Sequence, residues 1–465
     1  MKVLKKAAAL LLTLSVIVTA AGCGQKPDEN PTEPTTKVED EIPNEKQEAE
    51  EDVRDLGGRE IIIGNWWEPE NPAEPQNQYE EDQLAYREEI QKKYNFKIKT
   101  VNIGGWGEIQ ELFMTSVMAG DPAADVFVLD TSFVAQPLAA GLFYPVSDLG
   151  EFDFTNDKWN KQVVDSMTYN GKVYGFSPSK RLEPRTGVFF NKRLFEEAGL
   201  SPELPYELQK NGEWTWDKFK ELSKTLTRDK DNDGVMDTYA LASFSKDFFT
   251  AVAFANDAKY IGKDDSGLFY NATGEPNFLE AMQWARSLYD EGYTMPQPED
   301  SEWNWFEAAF HDGQVAMRVA EEYVKGSLGD MEDDWGFVLF PAGPKGKMTT
   351  VFRENILVIP SSAKNPEEIA FAFNLWNEPI PGYDDSEDWK NSFYPAYRDE
   401  RAVDETLSMM HDGYGILRLD PYVYGLETGD ICYGLDAGTK TPAEAIEGVK
   451  QTWQALIDDA NGTFK

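Results

Sequence analysis

Short apolar runs alternate with amphipathic stretches along this chain, and that alternation restricts the fold more than any other feature. Glu60–Gly64 (EIIIG) has the length and content of a buried strand, and residues 79–93 carry helical spacing. Phe96–Val101 reads as a second strand, Gly107–Ala119 as a second helix, and Ala124–Leu129 (ADVFVL) as a third strand. Strands separated by helices predict a parallel α/β sheet. Further helical stretches fall at 192–199, 215–226, 277–291, 365–376 and 442–459. No repeat of solenoid period interrupts the pattern. With 465 residues there is room for two or three domains and a large core.

The N-terminus is expected to stand apart from that core. Met-Lys-Val-Leu-Lys-Lys is basic, residues 7–18 are almost wholly apolar, and Ala20-Ala21-Gly22 are small. A basic start, an apolar stretch too short to span comfortably and a small-residue exit describe a secretory signal over residues 1–22. Cys23 follows directly, as in a bacterial lipobox, where the thiol is lipidated (palmitate is the expected acyl group) and becomes the new N-terminus. Ala20 stands where that motif usually has leucine. Residues 24–57 hold 12 acidic and 4 basic residues and no aromatic. They cannot bury enough apolar surface to fold, so 23–58 reads as an acidic tether between a membrane and a domain.

Without the three lysines of the signal, 41 basic residues face 83 acidic ones, a net charge of −42. A surface of that sign repels nucleic acid and anionic headgroups, and no basic patch offsets it. It also disfavours a polyanionic ligand unless arginines gather where the ligand sits. The second cysteine, Cys432, has no partner once Cys23 is lipidated. It reads as a small buried apolar residue.

One loop carries metal chemistry. In DKDNDGVMD, Asp229, Asp231, Asp233 and Asp237 occupy positions 1, 3, 5 and 9 of an EF-hand-like loop. Gly234 allows the turn at position 6, and the Val235 carbonyl at position 7 can face inward. Position 12 is Ala240, so the closing bidentate glutamate is missing. A loop of this kind can be pinned by calcium but cannot lever two helices apart. Calcium is therefore expected as a structural clip. The plain alternative is an acidic turn without metal.

Several segments in order resemble the extracellular solute-binding proteins of ABC importers, the family that includes maltose-type binders. They are MAGDPAADVFVLDTSFVAQPLAAGL at 118–142, YNGKVYGFS at 169–177, VFFNKRLFEEAGL at 188–200 and WTWDKFKELSKTL at 214–226. FHDGQVAM at 310–317, DWGFVLFPAGP at 334–344 and IPSSAKNPEEIAFAFNL at 359–375 complete the set. The resemblance implies a periplasmic-binding-protein-like α/β fold, in which two discontinuous lobes are joined by hinge strands around a ligand cleft. Lobe 1 would comprise 59–180 and 344–385. Lobe 2 would comprise 181–343 and most of 386–465. Hinges are expected near Gly175–Arg185, near Phe340–Lys347 and within 378–392. The implied partners are an oligosaccharide, the permease subunits and, through the lipid, the membrane on its extracytoplasmic face. The protein is expected to be monomeric.

A sugar offers C–H faces to aromatic rings and hydroxyls to carboxylates, amides and arginines. Where relatives place cleft contacts, this chain has Trp66, Trp67 and Glu68 after the first strand, and Asp130 with Phe133 after the third. Neighbouring side chains on a strand point to opposite faces, so the two tryptophans cannot both face the core. Tyr323 stands where maltose-type relatives carry a stacking tryptophan, with Glu321 and Glu322 beside it. Trp303, Trp305 and Phe306 could form a rim platform. Arg185, Phe352, Arg353 and Glu354 lie beside the expected hinges, and Tyr422 and Tyr424 fall in a late contact segment. Trp216, Trp284, Trp335, Trp376 and Trp453 read instead as packing.

Signals for catalysis are few. The only histidines are His311 and His411, and no phosphate loop, dinucleotide fingerprint or nucleophile elbow occurs. A glycoside hydrolase needs only two carboxylates, so composition leaves that alternative open, together with a sugar sensor for a signalling kinase. The expected role is non-enzymatic.

Overall fold

The structure is a computed structural model and describes residues 54–68, 75, 77–178, 183, 185–264, 266–383 and 387–463. The expected signal, Cys23 and most of the tether lie outside those residues, as do parts of the first and third expected hinges. Val53–Lys465 forms one compact unit.

The strands that matter for the site are β1 (Arg59–Asn65), β2 (Phe96–Asn102), β3 (Val126–Asp130), β4 (Thr186–Asn191) and β5 (Tyr239–Leu241). They continue with β6 (Val315–Glu321), β7 (Trp335–Val338), β8 (Thr350–Phe352), β9 (Asn355–Val358) and β10 (Gly415–Leu417). Two four-stranded sheets result, ordered β9-β3-β1-β2 and β7-β4-β6-β5. In the first, β1 pairs in parallel with β2 (Ile61 opposite Ile98) and with β3 (Ile63 opposite Val126). The chain leaves this sheet after β3 and re-enters it at β9, antiparallel to β3, with Asn355 opposite Asp130. In the second, β6 runs antiparallel to β4 and parallel to β5, and β7 is antiparallel to β4. The expectation of an all-parallel sheet is therefore corrected. Strand-helix alternation sets parallel pairing between consecutive strands, but a strand that returns from the other half of the molecule is free of that rule.

Helices cover both sheets: α1 (Gln78–Tyr94), α2 (Ile109–Met118), α3 (Trp216–Leu226), α4 (Ser245–Ala255), α5 (Pro276–Asp290), α6 (Pro366–Trp376) and α7 (Pro442–Thr463). Their ends follow local chemistry. The Asn77 side chain caps α1 by accepting from the Glu80 N–H at 2.9 Å, and Asn95 closes it in the left-handed conformation. Thr215 caps α3 in the same way.

The core falls into two apolar clusters. One, around β1, β2 and α6, holds Ile61, Phe96, Trp159, Phe176, Ile369 and Phe373. The other runs through α2 and β3 and the layers around β4–β7, with Trp214, Trp335 and Trp453 fully buried. The Trp214 indole N–H donates to the Leu339 carbonyl at 2.7 Å, and Trp216 stacks on Trp284 at 4.4 Å. Trp376 is half-buried beneath the Arg87 guanidinium.

Ordered structure begins before Arg59. The Leu56 N–H donates to the Tyr94 carbonyl at 3.0 Å, and its side chain is buried. Arg54 pairs with Glu151 at 2.5 Å and lies over the Phe371 ring. The last residues assigned to the tether are thus docked, because Leu56 gives that acidic segment an apolar anchor.

Candidate functional site

Four strands end at one place. β3 ends at Asp130 and β6 at Glu321, while β8 runs into Arg353 and β10 into Arg418. β8 and β10 are parallel neighbours, Val351 opposite Ile416, so their carboxyl ends emerge side by side. Convergent strand ends are where an α/β fold builds a binding crevice. A cavity of about 360 Å³ lies there, near the lower end of the range for small-ligand sites. Residues from both halves line it: Trp106, Ser132 and Arg353 from the side of the first sheet, Asp247, Arg318, Glu321 and Tyr323 from the second, with Arg418 and Asp420 from the late segment.

The charged groups are held in pairs. Arg353 Nε is 3.2 Å from Asp130 Oδ2, while Asp130 Oδ1 accepts from the Ser132 N–H at 2.8 Å. Arg418 grips Asp420 with two bonds, Nε to Oδ1 at 3.2 Å and a terminal nitrogen to Oδ2 at 2.5 Å. Arg185 sits between Glu183 at 2.8 Å and Glu321 at 3.6 Å. Arg318 is only 3 % exposed, bonds to Glu307 at 3.2 Å, and has its Nε buried with no hydrogen-bond partner. Asp247, in the first turn of α4, is held well above the ordinary carboxylate range by desolvation and then by the charge of Glu321, against the pull of Arg353, Arg418 and Arg318. Such a wall offers fixed donors and acceptors close to charge balance.

Glu354 ties the two halves together behind this wall. Its backbone carbonyl accepts from the Thr131 N–H at 3.2 Å, and its carboxylate accepts from the Glu183 N–H at 2.9 Å. Desolvation, then the Glu183 charge, raises its pKa.

Rings complete the site. Tyr323 is 63 % exposed and Trp303 71 %, both on the cavity, and Trp106 rests on Phe133 at 4.7 Å. Trp303, Phe244 and Phe306 form one cluster, with edge contacts of 6.2 and 6.4 Å from Trp303 to the other two.

Of the residues singled out in the sequence, Trp303, Phe306, Glu321, Tyr323 and Arg353 line the cavity, and Asp130 and Arg185 stand behind it on charged partners. Trp305 is half-buried and faces a different groove. Trp66 packs on both core clusters, Trp67 is exposed beside it, and Glu68 accepts from the Asn102 side chain at 3.0 Å; none of the three lines the cavity. Tyr424 is exposed outside the lining, while Tyr422 is buried with its hydroxyl 2.6 Å from Ser166 Oγ. Glu322 is buried and accepts from the Tyr397 hydroxyl at 2.6 Å.

Sequence reasoning passed over Trp106, Phe244, Asp247, Arg318, Arg418 and Asp420. A legible signal existed for one of them. Arg318 is a lone charge inside VAMRVA, and a strand buried along its length keeps an arginine only if something polar faces it.

His311 is half-buried between Asp312 and Asp330, His411 packs on the Trp389 ring, and neither lines the cavity.

In the acidic loop, carboxylate oxygens of Asp229, Asp231 and Asp237 lie within 4.8 Å of one another. Asp229 also accepts from the Asp233 and Gly234 N–H groups at 3.2 and 2.9 Å. Asp233 is outside that triad and accepts from the Val235 N–H at 2.8 Å. Gly234 has φ +91°, the left-handed turn that position 6 requires. Three hard oxygen donors at one point fit a calcium ion.

The chain matches the bacterial extracellular solute-binding proteins over residues 74–374, well over half its length, and it belongs to that family. That family is one of solute-binding proteins. Its fold is that of the cyclic α-maltosyl-1,6-maltose binding protein from Arthrobacter globiformis, at TM-score 0.61 and 18% identity, covering 87% of this chain and 100% of that one. An ABC substrate-binding protein of Listeria monocytogenes, solved in complex with cycloalternan, aligns at TM-score 0.60 and 19% identity over 87% of this chain and 98% of that one. Among curated proteins, the polygalacturonan/rhamnogalacturonan-binding protein YtcQ of Bacillus subtilis is 26% identical over 172 residues, 36% of this chain and 32% of the relative. That alignment therefore spans about a third of the relative's length. Among the described residues no helix is long and apolar enough to cross a membrane.

Proposed function

We propose that this chain is the capture subunit of an importer for an oligosaccharide, tethered by lipid on Cys23 to the outer face of a bacterial membrane. The observation that carries the reading is the cavity at the convergent strand ends. Exposed rings, Trp303 and Tyr323, stand there over paired charges, Arg353 with Asp130 and Arg418 with Asp420. Rings take the C–H face of a sugar, and paired charges hold its hydroxyls without a net charge that would select only ions. The sugars that the relatives above bind support the same class. Arginines gather here, each paired with an acid, and the polygalacturonan-binding relative supports testing an acidic glycan beside neutral ones.

Each half contributes a wall, with 59–180 and 344–385 as one lobe and 181–343 with most of 386–465 as the other. A ligand that touches both walls only when they are close stabilises the closed state by its differential affinity, and the permease then receives that state. Calcium held by Asp229, Asp231 and Asp237, with Asp233 and the Val235 carbonyl alongside, pins the loop after α3.

The test is thermal unfolding of the purified chain against neutral and acidic oligosaccharides. A true ligand at about 100 times its dissociation constant adds roughly 2.7 kcal/mol and is recovered uncleaved. If no glycan moves the midpoint, the sugar assignment fails.

A further inference from the structure

The cavity does not end the aromatic surface. Phe244, Trp303 and Phe306 line it on one side, and the same three residues line a second, larger groove of about 1270 Å³ on the other. Trp305, Tyr293, Met295 and Tyr433 continue that groove away from the strand ends. Tyr433 is 50 % exposed and tilts toward Phe244 with ring centres 6.4 Å apart, and Trp305 meets Phe306 at 6.2 Å. A ridge of rings is thus shared by two concave surfaces, and Trp303, the most exposed of them, stands on the boundary.

We infer that the outer groove is a second glycan-binding region, continuous with the cavity across Trp303, so that the site takes a chain longer than the cavity holds. This rests on the carbohydrate reading of the cavity and deepens it. Continuity is the main ground: a ligand seated against the cavity face of Trp303 has its next units directed over the ridge, onto further rings. The chemistry agrees. Tyr293, Tyr433 and Trp305 offer flat apolar faces, while Ser243, Ser245, Thr294 and Gln297 supply short hydroxyl and amide groups between them. That mixture suits a surface of alternating C–H faces and hydroxyls better than a purely apolar partner. Groups of both signs border the groove, Lys224 and Arg286 against Glu291 and Asp436, so it favours no one ion. The occupant is the far part of the same chain of sugars, bound at one end in the cavity.

The experiment is calorimetric titration with size-fractionated maltodextrins and oligogalacturonides, on the wild type and on Tyr433→Ala and Trp305→Ala. In the wild type, affinity is expected to rise with length beyond the shortest fragment that binds. In both variants the long fragments are expected to bind about tenfold more weakly, while the shortest keeps its wild-type affinity. Retained binding of the short fragment shows that a variant is folded, and Tyr433→Ala alters a half-exposed ring that the fold can lose. Length-independent affinity in the wild type overturns the inference and leaves the sugar assignment standing, as does an equal loss for short and long fragments. If the wild type binds no glycan of any length, the assignment itself falls, and this inference with it.

Discussion

Replacing Arg418 by methionine tests whether the cavity wall is built from desolvated, pre-positioned charges. Arg418 keeps 14 % of its side-chain exposure and Asp420 keeps 5 %, and two bonds of 3.2 and 2.5 Å join them. Methionine preserves much of the packing but removes the fork, leaving the Asp420 carboxylate buried without its cation. Breaking a buried pair from one side costs about 3–5 kcal/mol, because the orphaned charge keeps its desolvation penalty. A domain has about 5–15 kcal/mol in all, so the loss is a large fraction of the total. Urea unfolding at pH 7 should show a lower midpoint with an unchanged slope. The double variant Arg418→Met, Asp420→Asn should recover most of the loss, since neither charge then needs a partner. Glycan affinity should stay low in both, because the donor fork is gone. A cost below about 1 kcal/mol for the single variant would be the behaviour of a solvated surface pair and would refute the reasoning.

Three further outcomes are expected. Calcium at about 100 times its dissociation constant should stabilise the chain by roughly 2.7 kcal/mol, and Asp229→Asn should be indifferent both to calcium and to chelator; an equal chelator effect in the variant would place the metal elsewhere. Burial and Glu183 raise the pKa of Glu354, so above the ordinary carboxylate range the folded state holds a proton that the unfolded state has lost. Wild-type stability must then fall as pH rises until the raised value is passed, and Glu354→Gln should flatten that slope in urea midpoints taken at pH 5 and pH 8; identical slopes would refute it. Cys432 is fully buried, its thiol is 3.4 Å from the Tyr260 hydroxyl, and burial pushes its pKa up to about 12. It should resist thiol reagents in the native state and react at the rate of global opening, and prompt labelling in buffer would contradict its packing.

The fold was legible where the signal is local. The strand EIIIG and helix 79–93 are read from neighbours in sequence, and they appear as β1 and α1 within a residue or two. The direction of β9 was not legible, because it depends on a chain that leaves the first sheet after β3 and returns far later. The site divides in the same way. Trp303, Glu321, Tyr323 and Arg353 stood out as rings and charges at strand ends or rims. Arg418 and Asp420 reach the cavity only because β10 pairs with β8, a contact between positions 350 and 415 that no local spacing announces. Trp66 and Trp67 show the reverse case. A strand-end position made them candidates, and packing of Trp66 against the core left neither on the cavity.

The docking of Arg54 and Leu56 has a mechanical consequence. Both grip the half built on the first sheet, through Glu151, Phe371 and Tyr94. If the segment before them is the leash proposed here, any pull from the membrane enters through that half alone. If the hinges lie where the sequence places them, near Phe176 and Phe340, they would be outside the line of tension. On the two-lobe reading proposed here, one jaw would be moored and the other free to swing, and thermal tugging on the leash would do no work on the opening angle.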